Sequence, residues 1–304
     1  MDAGHQGSKV NRGTTTTRHL RRDFEAGRFV LAPGVFEMIS ALVADKMGFT
    51  ALYMTGYGVS SSHLGLPDVG LASFTDMLER ARRIAGGTST PLIADADTGY
   101  GGLINVHHTV REYEAAGVQA IQLEDQDMPK KCGHTRGRRV IPLKDMLQKI
   151  DVAANARRDD DTLIIARTDA RETLGLDEAI ARAKAFAAAG ADIIFVEAPE
   201  TMDEFKRIGG EIDAWLLANM VPSGLSPEID ADALKSWGYS ASIYPTLGIR
   251  LTASYLAKGY DYLLRNGSTI GMPLETISMT EMHELVGFQA IWEFERKYSQ
   301  ATQQ

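Results

Sequence analysis

The sequence predicts a closed (β/α)8 barrel, the TIM-type fold, with extra helices at the C-terminus. Eight short apolar runs recur along the 304 residues, each followed by a polar or glycine-bearing corner and a segment of helical spacing. Strands that are apolar throughout are buried on both faces, as in parallel sheets, and eight such units close a barrel. A doubly wound open sheet is the alternative for the same pattern. The length suits a barrel of ~250 residues plus an extension, and no linker divides it.

In order, the runs are Phe29–Ala32, Ala51–Met54, Pro91–Ala94, Ala120–Leu123, Leu163–Ala166, Asp192–Val196, Trp215–Ala218 and Ala241–Tyr244. Between them, Phe36/Ile39/Val43/Met47 and Ala179/Ala183/Phe186 have the spacing of buried helix faces, the latter stopped at Ala189–Gly190. After the eighth run come a helix-like Ile249–Leu264, a break at Asn266–Gly271 and an apolar, helix-prone tail from Thr280 to Tyr298. In that tail Phe288, Ile291, Trp292 and Phe294 either pack on their own barrel or form a patch for another subunit. Residues 1–20 are expected to be a polar, disordered arm, with 21–304 a single domain.

Composition narrows the function. The formal charge of -8 argues against nucleic-acid backbones and anionic membranes, though not against a small anion held by a local cationic cluster. No apolar run approaches the ~18 residues of a membrane span, and Met1 to Arg18 lack the apolar core of a secretory signal. A single cysteine forms no internal disulfide, which suits a reducing cytoplasm.

The stretch from Gln122 to His134, QLEDQDMPKKCGH, is the chemical centre. It begins as a strand, ends in Glu124 and Asp125, and opens into a loop holding that cysteine, Cys132, beside Lys130, Lys131, Gly133 and His134. The lysines would ease formation of a thiolate and His134 would exchange a proton with it, making a nucleophile or a tuned general acid. A small buried hydrophobe is the usual fate of a lone cysteine, but the polar flanks suit a lid. Thr135 to Arg139 would add cations attracted to an anion beneath.

Barrel active sites lie at the carboxyl ends of the strands, and polar groups gather there. Asp95 and Asp97, two apart on one strand face, join Glu124 from the next strand in an oxygen-rich set suited to Mg²⁺, with Asp68 contributing through water or capping a turn. A capped turn at Asp97-Thr98-Gly99 is the plainer reading of that corner. Cys132-x-His134 is a poor zinc spacing, and His107-His108 reads as packing or capping. Arg167 and Arg250 are candidate forks for substrate carboxylates, and the other strand ends supply Tyr53 to Tyr57, Glu197 and Asn219.

These motifs resemble the isocitrate lyase and phosphoenolpyruvate mutase superfamily across the chain after about Arg22. The likeness lies in Tyr-x-Thr-Gly at 53–56, Leu-Gly-Leu-Pro-Asp at 64–68, Asp-Ala-Asp-Thr-Gly at 95–99, Glu-Asp-Gln at 124–126, Lys-Lys-Cys-Gly-His at 130–134, Ala-Arg-Thr-Asp-Ala at 166–170 and Val-Glu-Ala at 196–198. The cysteine loop resembles the carbon–carbon lyase branch. That resemblance implies Mg²⁺-dependent (or Mn²⁺-dependent) retro-aldol cleavage of a 2-hydroxy di- or tricarboxylate, in a homotetramer with exchanged C-terminal helices. It also implies that Asp95, Asp97 and Glu124 surround the metal, and that Thr55, Gly56, Tyr57, Gly133 and Arg167 grip the 2-oxo-acid half. Tyr53 would be the base and Cys132 the acid, with Lys130, His134, Glu197 and Asn219 completing the site and Arg250 reaching the second carboxylate.

Two departures bear on substrate. Asn219-Met220-Val221-Pro222-Ser223-Gly224 lacks the acid of the methylisocitrate lyase pattern, and Met279–His283 offers no second Arg, so 2,3-dimethylmalate competes with 2-methylisocitrate. Oxaloacetate hydrolases favour a serine where Thr246 follows Tyr244-Pro245. A phosphonate mutase and a non-catalytic dicarboxylate-binding barrel complete the alternatives.

Overall fold

A computed structural model describes residues 19–299. The expected arm lies, as far as Arg18, outside the described residues. Eight parallel strands pair in sequence order and β8 closes on β1. They are β1 (Val30–Val35), β2 (Leu52–Met54), β3 (Leu92–Asp95), β4 (Ala120–Glu124), β5 (Leu163–Thr168), β6 (Ile193–Val196), β7 (Trp215–Asn219) and β8 (Ala241–Tyr244). Each begins within one residue of its apolar run. The helices through the barrel are α1 (Leu20–Glu25), α2 (Met38–Met47), α3 (Gly56–Val59), α4 (Phe74–Gly87), α5 (Leu103–Ala115), α6 (Leu143–Ala156), α7 (Ala170–Leu174) and α8 (Leu176–Ala188). Then follow α9 (Met202–Glu211), α10 (Ala231–Ser236), α11 (Leu247–Asn266), α12 (Met279–Leu285) and α13 (Phe288–Ser299).

Strand alternation divides the buried residues into two cores. Ile93, Ala120, Ile165, Ile193, Phe195, Leu217 and Ile243 fill the barrel axis, while Leu92, Ala94, Ile121, Ile164, Ile194 and Leu216 face the helices. α1 closes the floor: Leu20 and Phe24 join the axial core, and Phe24 stacks on Trp215 with ring centroids 5.1 Å apart. The folded chain therefore starts by Leu20, inside the span assigned to the arm. At the other end the same period of two turns Asp95, Gln122, Glu124, Arg167, Glu197 and Asn219 toward the axis, so the polar site is the upper layer of the barrel core.

One expectation about a helix face fails, and one open alternative is decided. In α2 the buried residues are Ala41 and Ala44, whereas Ile39, Val43 and Met47 are exposed; the small side chains allow close approach to the strands and the large ones face out. In the tail, Phe288, Ile291, Trp292 and Phe294 are 41–57% exposed, so they do not pack on their own barrel. Neither α11 nor α13 contributes a buried residue. No described helix is long and apolar enough to cross a membrane.

Candidate active site

One cavity at the carboxyl ends of the strands is lined by Tyr53, Thr55, Tyr57, Asp68, Asp95, Cys132, Gly133, His134, Arg167, Glu197, Asn219 and Thr246, among others. Strand-end and lid residues distant in sequence thus converge, as the barrel predicts. Arg250 does not join them. It is exposed and its Nη1 donates to the Pro222 carbonyl at 2.6 Å, because the first turn of α11 carries it outward.

The acids are buried and close, but arranged differently from a three-carboxylate cage. Lys130 Nζ stands between Asp68 and Asp97, 2.6 Å from Asp97 Oδ1 and in a short contact with Asp68 Oδ1. Glu124 Oε2 lies 3.4 Å from Arg167 Nε. Asp95 Oδ2 accepts the Gly56 N–H, which commits that backbone donor to Asp95, and its Oδ1 accepts from Gln122 and from the Asp97 N–H. Among the described residues no three acidic, histidine or cysteine side chains converge as a ready metal set. Asp125 faces outward, accepting from Thr168, the Asp169 N–H and Arg182.

The electrostatics nevertheless fit a divalent cation. Asp68, Asp95, Asp97 and Glu124 face Lys130 and Arg167, and Glu124 Oε1 is buried without a hydrogen-bond partner. Burial raises the pKa of Asp95, raises that of Asp97 to about 6 despite Lys130, and lifts that of Glu124 well above its ordinary value despite Arg167. Burial makes these carboxylates costly to ionise without further positive charge nearby. Asp95, Asp97 and Glu124 can take that charge from a hard ion that retains several waters.

The thiol departs from its expected state. Burial pushes the Cys132 pKa up to about 11, against a lowering by the His134 backbone N–H. The flanking lysines do not produce a thiolate: Lys130 is committed to Asp68 and Asp97, and Lys131 Nζ donates to the carbonyls of Arg136 and Gly137. Burial therefore favours the protonated thiol at neutral pH.

The His134 ring is also turned elsewhere. Its Nδ1 accepts the Leu225 N–H at 3.0 Å, and its Nε2 lies 3.2 Å from Asn219 Nδ2 and 3.5 Å from Glu197 Oε1. Burial lowers its pKa and favours the neutral ring. It pins the lid to β6 and β7, reaching the sulfur only through its own backbone.

Arg167 is the cationic floor. It donates to Asp169 through Nε and Nη2, both at 2.8 Å, and its Nη1 lies 3.1 Å from Glu197 Oε2. Burial works against ionisation of Glu197, but chiefly Arg167, and also Arg138, hold its pKa below the usual value. Asn219 donates to the same carboxylate, leaving its own Oδ1 buried and unpaired in the cavity wall. Thr55 accepts the Gly58 N–H and shapes the turn.

Tyr53 is not placed to act as base. Its hydroxyl donates to Gln122 Oε1 at 3.1 Å, and burial, with Asp95 nearby, raises its pKa well above the ordinary value. Gln122 was not singled out from sequence, since it lies within an apolar run; its position two residues before Glu124, on the same strand face, is the signal. Asp169 is part of the strand-end motif and Arg138 one of the lid cations, but Glu172 carries no signal in the sequence. Arg138 belongs to the lid and its side chain is buried under it, its Nε 3.3 Å from Asp169 Oδ1 and 3.0 Å from Glu172 Oε2. The anion under the loop is thus, for this residue, the protein's own. Arg139 instead pairs with Asp127 at the surface.

Comparison with known proteins agrees with this architecture. The phosphoenolpyruvate phosphomutase family profile matches residues 20–261. The chain is 45% identical over 284 residues to 2,3-dimethylmalate lyase of Eubacterium barkeri, covering 93% of this chain and 98% of that protein. It is 41% identical over 269 residues to 2-methylisocitrate lyase of Aeropyrum pernix, covering 88% and 86%. The solved structure of oxaloacetate acetylhydrolase with the inhibitor 3,3-difluorooxalacetate superposes with a TM-score of 0.88 at 33% identity, covering 93% of this chain and 97% of that one. Barrel, strand-end acids and cysteine lid together accompany a match along most of the sequence, and the chain belongs to the phosphoenolpyruvate mutase and isocitrate lyase superfamily.

Proposed function

We propose that this protein is a Mg²⁺-dependent carbon–carbon lyase that cleaves a small 2-hydroxy dicarboxylate of the 2,3-dimethylmalate type to pyruvate and a second carboxylate. The observation that carries this reading is the Cys132 thiol, held by the lid over a cavity lined by Arg167 and Asp95, where burial favours its protonated form. Among the described cavity-lining residues the one Lys or Arg is Arg167, which favours a dicarboxylate over a tricarboxylate.

Arg167 would receive the carboxylate of the 2-oxo-acid half through its guanidinium, itself oriented by Asp169 and Glu197. A Mg²⁺ or Mn²⁺ ion held by Asp95, Asp97 and Glu124 would supply Lewis acidity to the substrate's oxygens. The C2 hydroxyl proton leaves toward the carboxylates that line the cavity, the C2–C3 bond breaks, and C2 becomes a carbonyl. C3 keeps the bonding pair and takes the Cys132 proton. Gly133 brings the lid backbone against Glu197 and Arg167 and excludes water during that transfer.

Oxaloacetate hydrolysis is the second reading: Thr246 departs from the serine those hydrolases favour, but its hydroxyl still lines the cavity, buried and without a hydrogen-bond partner. One assay separates the readings. With Mg²⁺ present, 2,3-dimethylmalate is expected to give pyruvate, 2-methylisocitrate less, and a chelator is expected to stop the reaction. Oxalate formed from oxaloacetate without pyruvate from either hydroxy acid would overturn the lyase assignment. Turnover of phosphonopyruvate would point to mutase chemistry, and binding without turnover to a non-catalytic barrel.

The exposed apolar sides of α11 and α13 support a homotetramer with exchanged C-terminal helices, and the free thiol suits the cytoplasm. Sedimentation at micromolar protein is expected to give a four-chain mass; a single-chain mass would count against it.

A further inference from the structure

We propose that Arg138 and Glu172 form the latch that holds the Cys132 loop on the barrel mouth, and are positioning residues for the sulfur. The inference rests on the lyase reading for its catalytic meaning but not for its geometry. Residues 126–141 leave β4 and return to α6 as a flap with its own internal bonds. Gln126 clasps the Lys131 N–H and carbonyl at 2.9 and 2.8 Å, Thr135 folds back on the Cys132 carbonyl, and Asp127 N–H donates to the Arg139 carbonyl. A flap that satisfies itself needs external ties to stay down.

The flap has such ties on the cavity side through Lys130, Gly133 and His134, all within the site already described. On the other side the tie is Glu172 of α7. Its carboxylate accepts the Gly137 N–H at 2.7 Å and the Arg138 N–H at 3.4 Å, besides facing Arg138 Nε. A purely structural buried arginine would have its donors satisfied. Here all three side-chain nitrogens of Arg138 are buried without a hydrogen bond, and its Nε meets Glu172 and Asp169 as ion pairs only, so the closed flap carries an unmet cost that opening into water relieves. Closure is held yet poised to release.

The latch is also wired to the floor of the site. Asp169 Oδ1 accepts from Arg167 Nη2 at 2.8 Å and lies 3.3 Å from Arg138 Nε. A substrate carboxylate on Arg167 takes up part of that guanidinium's charge and leaves Asp169 freer to hold Arg138. Occupancy of the floor thereby favours the closed flap.

The chain's one cysteine gives a direct reading of flap position. Iodoacetamide labelling of Cys132 at pH 8, well below the melting temperature, is expected to run on the order of 10- to 100-fold faster in Glu172→Gln and in Arg138→Met, as the thiol becomes exposed and regains ordinary acidity. The double variant is expected to label no faster than the faster single, because either change opens the same latch. Glu172, partly exposed, is the variant that tolerates the loss of charge if Arg138→Met does not fold. Labelling of Glu172→Gln at the parent rate would overturn the proposal. Since labelling requires no substrate, an error in the reaction assignment would leave this result intact.

Discussion

Replacing Cys132 with serine is expected to lower turnover by about 10²–10⁴-fold while leaving substrate binding nearly unchanged, as removal of a general acid does. Serine preserves the shape of the flap tip but is a far weaker acid, so in the proposed reaction the carbanion at C3 would lack its proton. The environment sharpens the prediction. With its pKa near 11, the Cys132 thiol stays protonated through neutral pH, so deprotonation of this group should not reduce turnover of the parent until the medium is strongly alkaline. Steady-state kinetics and a direct binding measurement on Cys132→Ser test both parts. Turnover kept within about 10-fold of the parent would remove Cys132 from the acid role.

Gly133→Ala is the second large effect. A Cβ at this position would stand 2.5 Å from Arg167 Nη2 and press on Glu197 Oε2, both fixed by buried partners that cannot retreat. The flap would have to ride higher, carrying Cys132 away from the reacting carbon. A displacement of about 1 Å in a catalytic group costs on the order of 10²-fold in rate, so kcat/KM is expected to fall by that much or more. The fold should persist, because the strain falls on the flap and not on a strand. Melting close to that of the parent together with lost turnover would fit; full activity would show that the flap does not seat as described.

The strands were legible because burial on two faces demands apolar runs, and their alternation placed Asp95, Glu124, Arg167, Glu197 and Asn219 on the axis. What escaped depends on partners brought together only by folding. The lysines beside Cys132 suggested a thiolate, yet Lys130 is spent on Asp68 and Asp97, and burial decides the proton. His134 looked like the thiol's partner from a separation of two residues, but Leu225, Glu197 and Asn219 orient its ring. Arg250 had the right type and place in the chain, and the direction of α11 carried it away. The stripe in α2 had a buried helix's period and the opposite orientation, since alanines on the other side fit the sheet more closely.

The floor formed by Leu20 and Phe24 makes the barrel a vessel with a bottom. Under the proposed reaction, reactant and both fragments would use one doorway, over which the cysteine flap lies. The fragment held on Arg167 would have to leave by the same mouth as the other, so ordered release is expected.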